Sequence, residues 1–302
     1  MNTDNGFPSG KSQCLLVGNG INLLFRDSSW ENLIADELAQ SHSSLSYEEI
    51  KGMPATMQIV AATDDDVSNR MKVLSEKLLN LNMTPERTTF LQKLMSLPVD
   101  DVMTANYSFE LETADGMTPT KKRYSSHLRS TFELQARHKA FRLYQFYETR
   151  TGKRIWHVHG DLAKPDTMLM GHYYYAKQLR YVQECVAKTV VRFKICMEKG
   201  EEFRSYSWVD QFLTGDVYIL GLGMYLCESD LWYLLCCKKR NFPEAHTYFY
   251  DKDCNDHTIN IMLKTYGVEI ISGKDLGAEG DFQPFYEAAL KDINDRLGGM
   301  KR

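Results

Sequence analysis

Ile155-Trp156-His157-Val158-His159-Gly160-Asp161 is an apolar run that ends in a histidine and a glycine. Short runs of this kind read as buried strands. Two more share the pattern. Val102-Met103-Thr104-Ala105 leads into Asn106, and Cys14-Leu15-Leu16-Val17 opens into Gly18-Asn19-Gly20-Ile21-Asn22. Three buried strands that each deliver polar residues at their carboxyl ends point to an α/β sheet. In such sheets ligands bind beyond the carboxyl edge, where the strand order reverses. On this reading Asn106 and His159 converge on one ligand.

Outward from these runs, the chain alternates between strand and helix patterns. Strands are expected at Gln13–Val17, Asp100–Ala105, Asp216–Leu220, Thr247–Tyr250 and Val268–Ile271. Phe141–Tyr147 and Arg154–Val158 flank Thr151-Gly152 and read as a strand pair. Helices are expected at Ser29–Gln40, His172–Lys199, Ser207–Leu213, Glu228–Lys239, Thr258–Thr265 and Phe282–Arg296, with helical texture from Tyr47 to Ser96. The alternation predicts an α/β fold: a Rossmann-like, mostly parallel sheet with helices on both faces. Residues 1–12 read as a flexible N-terminus. Residues 13–302 read as one domain with helical insertions near 41–98 and 165–207.

Bulk properties narrow the function classes. A formal charge of −4 gives no reason to expect nucleic acid or an anionic membrane as partner. No apolar run approaches the roughly twenty residues that span a bilayer, and Met1 to Lys11 lacks the apolar stretch of a secretory signal. Seven cysteines, an odd number without paired spacing, argue against a disulfide framework. A cytoplasmic location is expected. The segment Lys121–Arg154 is locally basic, with ten basic residues against two acidic ones, and reads as a solvated face or a contact surface. Tyr173, Tyr174 and Tyr175 cannot all be core; core packing is the default reading for them, with one or two lining a pocket as the alternative.

The glycine turn suits a pyrophosphate, because glycines let backbone approach it and a helix N-terminus favours its charge. Leu23 and Leu24 stand where a dinucleotide fingerprint has its third glycine, so taken alone the motif is equally a plain tight turn. Residues two apart in a strand share a face. His157, His159 and Asp161 would therefore form a metal-ligand set if the strand ran straight. No partner cluster is evident elsewhere in the sequence, so no metal is expected. His159, at the strand's end beside Gly160, is the candidate for chemistry, and His157 reads as a packed, hydrogen-bonded core histidine.

Together these motifs resemble the sirtuin-like NAD-hydrolysing domains of prokaryotic antiviral defence. The resemblance rests on Gly18 to Asn22, Thr104-Ala105-Asn106-Tyr107, Ile155 to Asp161, Ser207-Trp208, and Val217 to Gly223 followed by Glu228-Ser229-Asp230-Leu231-Trp232. It implies that Asn106 and His159 are the catalytic pair. It also implies that Gly18, Asn19, Gly20, Asn22, Gly221, Gly223 and Glu228 surround NAD, the substrate. Glu228 would accept from an adenosine hydroxyl or cap its helix. The chain departs from the family at Ser108, where an acidic residue is usual, and in lacking the four-cysteine zinc ribbon of the deacylases.

The implied activity is NAD glycohydrolysis to nicotinamide and ADP-ribose, depleting NAD in abortive infection. The alternatives are an NAD-dependent protein deacylase and a non-catalytic module that binds NAD-derived nucleotides. A homo-oligomer or filament is expected, with an activating ATPase or sensor as partner protein.

Overall fold

The computed structural model describes residues 12–25, 30–40, 43–64, 66–78, 83–117, 122–124 and 143–299. Its centre is one sheet of eight strands: β1 (Gln13–Val17), β2 (Asp101–Thr104), β3 (Lys122–Tyr124), β4 (Gln145–Glu148), β5 (Arg154–His157), β6 (Asp216–Leu220), β7 (Thr247–Asp251) and β8 (Glu269–Ser272). They lie in the order β3-β4-β5-β2-β1-β6-β7-β8. The six strands from β5 to β8 are parallel, and β4 and β3 add an antiparallel edge. The expected strand pair around Thr151-Gly152 is this β4–β5 unit, with Tyr147 opposite Ile155.

From β1 the chain first builds toward β2 and later toward β6, so strand order reverses between β1 and β6. That boundary is the ligand crevice of open α/β sheets. The expected mostly parallel α/β sheet is what the chain forms.

Both faces of the sheet are covered, and the strand period of two decides what each covers. Cys14, Leu16, Met103, Trp156, Val217 and Ile219 enter one core cluster. It is closed by α8 (His172–Lys199), α9 (Trp208–Thr214), α10 (Ser229–Asn241) and α11 (His257–Thr265). Leu15, Val17, Val102, Ile155, Tyr218 and Leu220 enter the opposite cluster. There α6 (Pro85–Ser96), α7 (Glu110–Ala114) and α12 (Phe282–Gly299) pack.

Between β1 and β2, the one-turn α1 (Gly20–Leu23) precedes α2 (Trp30–Gln40), α3 (Tyr47–Ile50), α4 (Ala55–Ala62) and α5 (Val67–Leu78). Ile34, Ile50, Ile59 and Met71 of these helices bury themselves with Leu162, Met168 and Met170, the loop after β5. The helices after β1 and the loop after β5 thus share a small core.

Local signals explain the helix starts. Thr84 caps α6 by accepting from the Arg87 amide, with Pro85 at the first position. Ser207 and Asp210 form a reciprocal capping box on α9. Ser29, where the helix that became α2 is expected to start, and most of the basic stretch from Lys121 to Arg142 lie outside the described residues. Among the described residues no helix is long and apolar enough to cross a membrane.

Candidate active site

Asn106 follows β2 and His159 follows β5, and these are neighbouring parallel strands with Thr104 opposite His157. Both residues therefore leave the sheet at the same carboxyl edge, Asn106 one strand and His159 two strands from the glycine turn after β1. Both are buried, Asn106 to 6 % exposure and His159 to 2 %. The His159 ring is thus enclosed rather than open to solvent.

The two histidines go separate ways. His157 follows Ile155 onto the α7 side, between the rings of Phe109 and Tyr147. Its Nδ1 donates to the Asn106 carbonyl at 2.9 Å, and its Nε2 donates to Glu112 Oε1 at 2.8 Å. Burial works against its charge, but Glu112, then Asp161 and the Asn106 carbonyl, leave its pKa raised. Donating from both nitrogens requires the imidazolium. His157 is the packed, hydrogen-bonded histidine expected, and its bond holds the loop that carries Asn106.

The strand ends at His157, and the backbone turns through Val158 to Gly160. Gly160 has φ +90°, and a Cβ there would stand 2.1 Å from the Thr167 carbonyl oxygen. Only glycine tolerates that combination. The turn delivers His159 to the helices of the other face, where its ring lies edge-on to Tyr175 at 5.4 Å. Its Nε2 stands 3.3 Å from Asp230 Oδ2 and 3.7 Å from Glu228 Oε2. Burial lowers its pKa, but Asp230 and Glu228 outweigh that and leave it raised. Burial in turn raises the Glu228 pKa, with His159 opposing.

Asp161 faces Tyr147, whose hydroxyl donates to it at 3.3 Å. The set His157, His159 and Asp161 is thus split across the sheet, because the strand does not run straight. The set that does converge is His159, Glu228 and Asp230.

Asn106 sits in a separate polar cluster. Its Nδ2 donates to Glu110 Oε1 at 2.8 Å and to the Gly18 carbonyl at 3.4 Å. Asn22 donates to the same Glu110 oxygen at 3.2 Å and accepts from Arg87 at 2.7 Å. Ser108, the departure from the family pattern, donates to the other Glu110 oxygen. A carboxylate therefore stands beside Asn106 after all, two residues beyond Ser108. The side chains of Asn106 and His159 share no partner.

The glycines of the β1 turn also have partners within the protein. Gly18 N–H donates to the Leu220 carbonyl at 2.9 Å, and Gly20 N–H to the Gly221 carbonyl at 2.7 Å. A Cβ on Gly18 or Gly20 would meet that same Gly221 oxygen at 2.4 or 2.8 Å. Their amides lock the β1 turn to the β6 turn. Asn22 is buried and engaged by protein groups, Asn19 is exposed, and Gly223 lies against the Tyr225 ring. Glu228 makes no cap bond to α10 but reaches His159 and accepts from the Tyr175 hydroxyl at 3.2 Å.

Sequence reasoning passed over Arg87, Glu110 and Asp230. Glu110 and Asp230 stand in first helical turns, where an acidic residue is usually explained by the helix dipole. Of the three tyrosines, Tyr175 is buried against His159, whereas Tyr173 is exposed.

Comparison with models of known protein families finds none that matches the chain, and no curated protein matches it significantly.

Proposed function

We propose that the protein is an NAD glycohydrolase of the sirtuin-like kind, with Asn106 and His159 as its catalytic pair. The observation that carries this reading is their emergence from adjacent parallel strands β2 and β5, beside the strand-order reversal at β1 and β6.

The chemistry suits the groups. The bond between nicotinamide nitrogen and ribose C1′ breaks with its electron pair leaving on nicotinamide, which needs no strong acid. An oxocarbenium-like state results, as in other glycosyl transfers. A water oxygen bonds to C1′, and its proton passes to His159. Asn106, oriented by Glu110, holds that water in line without adding charge. Glu228 and Asp230 stabilise the imidazolium that forms.

On this reading the protein works in the cytoplasm as an antiviral effector that depletes NAD. Activity is gated by assembly into a homo-oligomer or filament, or by a partner ATPase or sensor.

Chromatography of NAD incubated with concentrated pure protein tests the proposal. Nicotinamide and ADP-ribose are expected. The burial of both Asn106 and His159 favours one competing reading, a nucleotide-binding module without turnover. NAD affinity without product would establish that module instead, and acyl-lysine-dependent consumption would mark a deacylase.

A further inference from the structure

The cluster of His159, Glu228 and Asp230 has more binding capacity than the protein itself uses. Asp230 is fully buried, yet neither of its carboxylate oxygens accepts a hydrogen bond. His159 Nε2, 3.3 Å away, likewise has no hydrogen-bond partner among the described residues and meets Asp230 only as an ion-pair contact. Glu228 Oε2 completes the group, and one ligand atom from each residue lies within 4.8 Å of the others. A buried carboxylate whose oxygens accept no hydrogen bond is costly in an apolar surrounding. Such groups in native proteins point to an ion or ordered water.

We infer that His159 Nε2, Glu228 and Asp230 form a binding site for a divalent cation of the zinc class. The donor set selects the ion. One imidazole and two carboxylates suit zinc, cobalt or manganese, whereas calcium takes six to eight oxygens. Bonds of about 2.0–2.2 Å in a tetrahedron separate neighbouring ligand atoms by about 3.3–3.6 Å. The separations from Nε2 are 3.3 and 3.7 Å. Two carboxylates balance the charge of the ion. The Tyr175 hydroxyl bond to Glu228 and its ring against His159 supply the outer support that metal ligands need. This ion departs from the expectation of a metal-free site, which rested on the sequence showing no partner cluster for the histidines.

The consequence for the proposed reaction rests on the reading of His159 as base. A neutral imidazole has one basic lone pair, and coordination consumes it. The metal-loaded protein cannot take a proton at His159, so the cation holds the enzyme off.

Cobalt(II) titrated into the purified full-length chain tests the site directly. One equivalent is expected to give the visible absorption of a low-coordinate nitrogen–oxygen site, without the thiolate charge-transfer band that cysteine ligation brings. Zinc should displace it. Asp230→Asn and the partly exposed Glu228→Gln should each abolish it, so the second keeps the test decisive if the first fails to fold. No absorption, a dominant thiolate band, or an unchanged spectrum in both variants would overturn the site. NAD turnover is read separately: zinc is expected to suppress it at least about tenfold, and a chelator to restore it. Full turnover by zinc-loaded protein would overturn the inhibitory role. A chain that binds cobalt yet never cleaves NAD would refute the glycohydrolase reading and leave the metal site standing.

Discussion

Asn106 Nδ2 donates to Glu110 Oε1 at 2.8 Å, and this bond fixes which way the proposed catalytic amide points. An amide held by a buried carboxylate presents its oxygen, an acceptor, in the opposite direction. Ser108 secures the far side of the same carboxylate. Glu110→Ala should therefore lower NAD turnover at least about tenfold while changing KM little, the pattern of a lost transition-state contact. Thermal melting should show a loss of about 1–3 kcal/mol from the stranded amides. A KM effect without a kcat effect would make Glu110 a binding group.

Asn106→Ala removes the amide but not the backbone carbonyl that His157 uses. Turnover is expected to fall strongly with a modest loss of NAD affinity. Calorimetry with NAD decides it, and complete loss of affinity would recast Asn106 as a binding residue.

His159→Ala should abolish cleavage, as loss of the base requires. Its burial between two carboxylates adds a stability cost that a surface residue would not have. Removing one partner of a buried ion pair costs about 3–5 kcal/mol, so a lowered Tm should accompany the lost activity. Near-wild-type turnover in this variant would refute the assignment.

His157→Ala should destabilise by a similar amount, because it leaves Glu112 buried and unpaired and opens a space between Phe109 and Tyr147. Denaturant unfolding measures it. A normal midpoint with no activity would exchange the roles of the two histidines.

The cysteines give a check on the core. Burial, then the neighbouring Asp210, pushes the Cys185 thiol up to about 11, and burial raises Cys14 further. The thiolate is the reactive form. An alkylating reagent at about pH 8 should modify the half-buried Cys196 and Cys236 in the native protein and reach Cys14 and Cys185 only on unfolding. Native-state labelling of Cys185 would contradict the packing of α8 on α9.

The strands were legible because each is a short apolar run whose alternate residues serve two different cores, as Cys14 and Leu15 do. Asn106 and His159 could be singled out because both follow such runs directly. The facing of His159 could not be read, since it depends on the strand ending at His157, one residue before the expected end at Val158. Nor could the partners of either residue. Glu110 lies four positions from Asn106, yet Asp230 lies on a helix after β6, and only the assembled sheet brings it to His159. The partner of the β1 glycines was hidden for a related reason: it is another loop.

That loop contact has a consequence for how the protein comes into being. The β1 turn leaves the ribosome early, but Gly18 and Gly20 have nothing to grip until Leu220 and Gly221 have been made. His159 likewise waits for Asp230. Because synthesis is slow beside local folding, a nascent or truncated chain ending before β6 holds the glycine turn and the histidine strand without their partners. The locked β1 turn and the histidine cluster are thus late products of synthesis, formed only once β6 and the start of α10 have emerged.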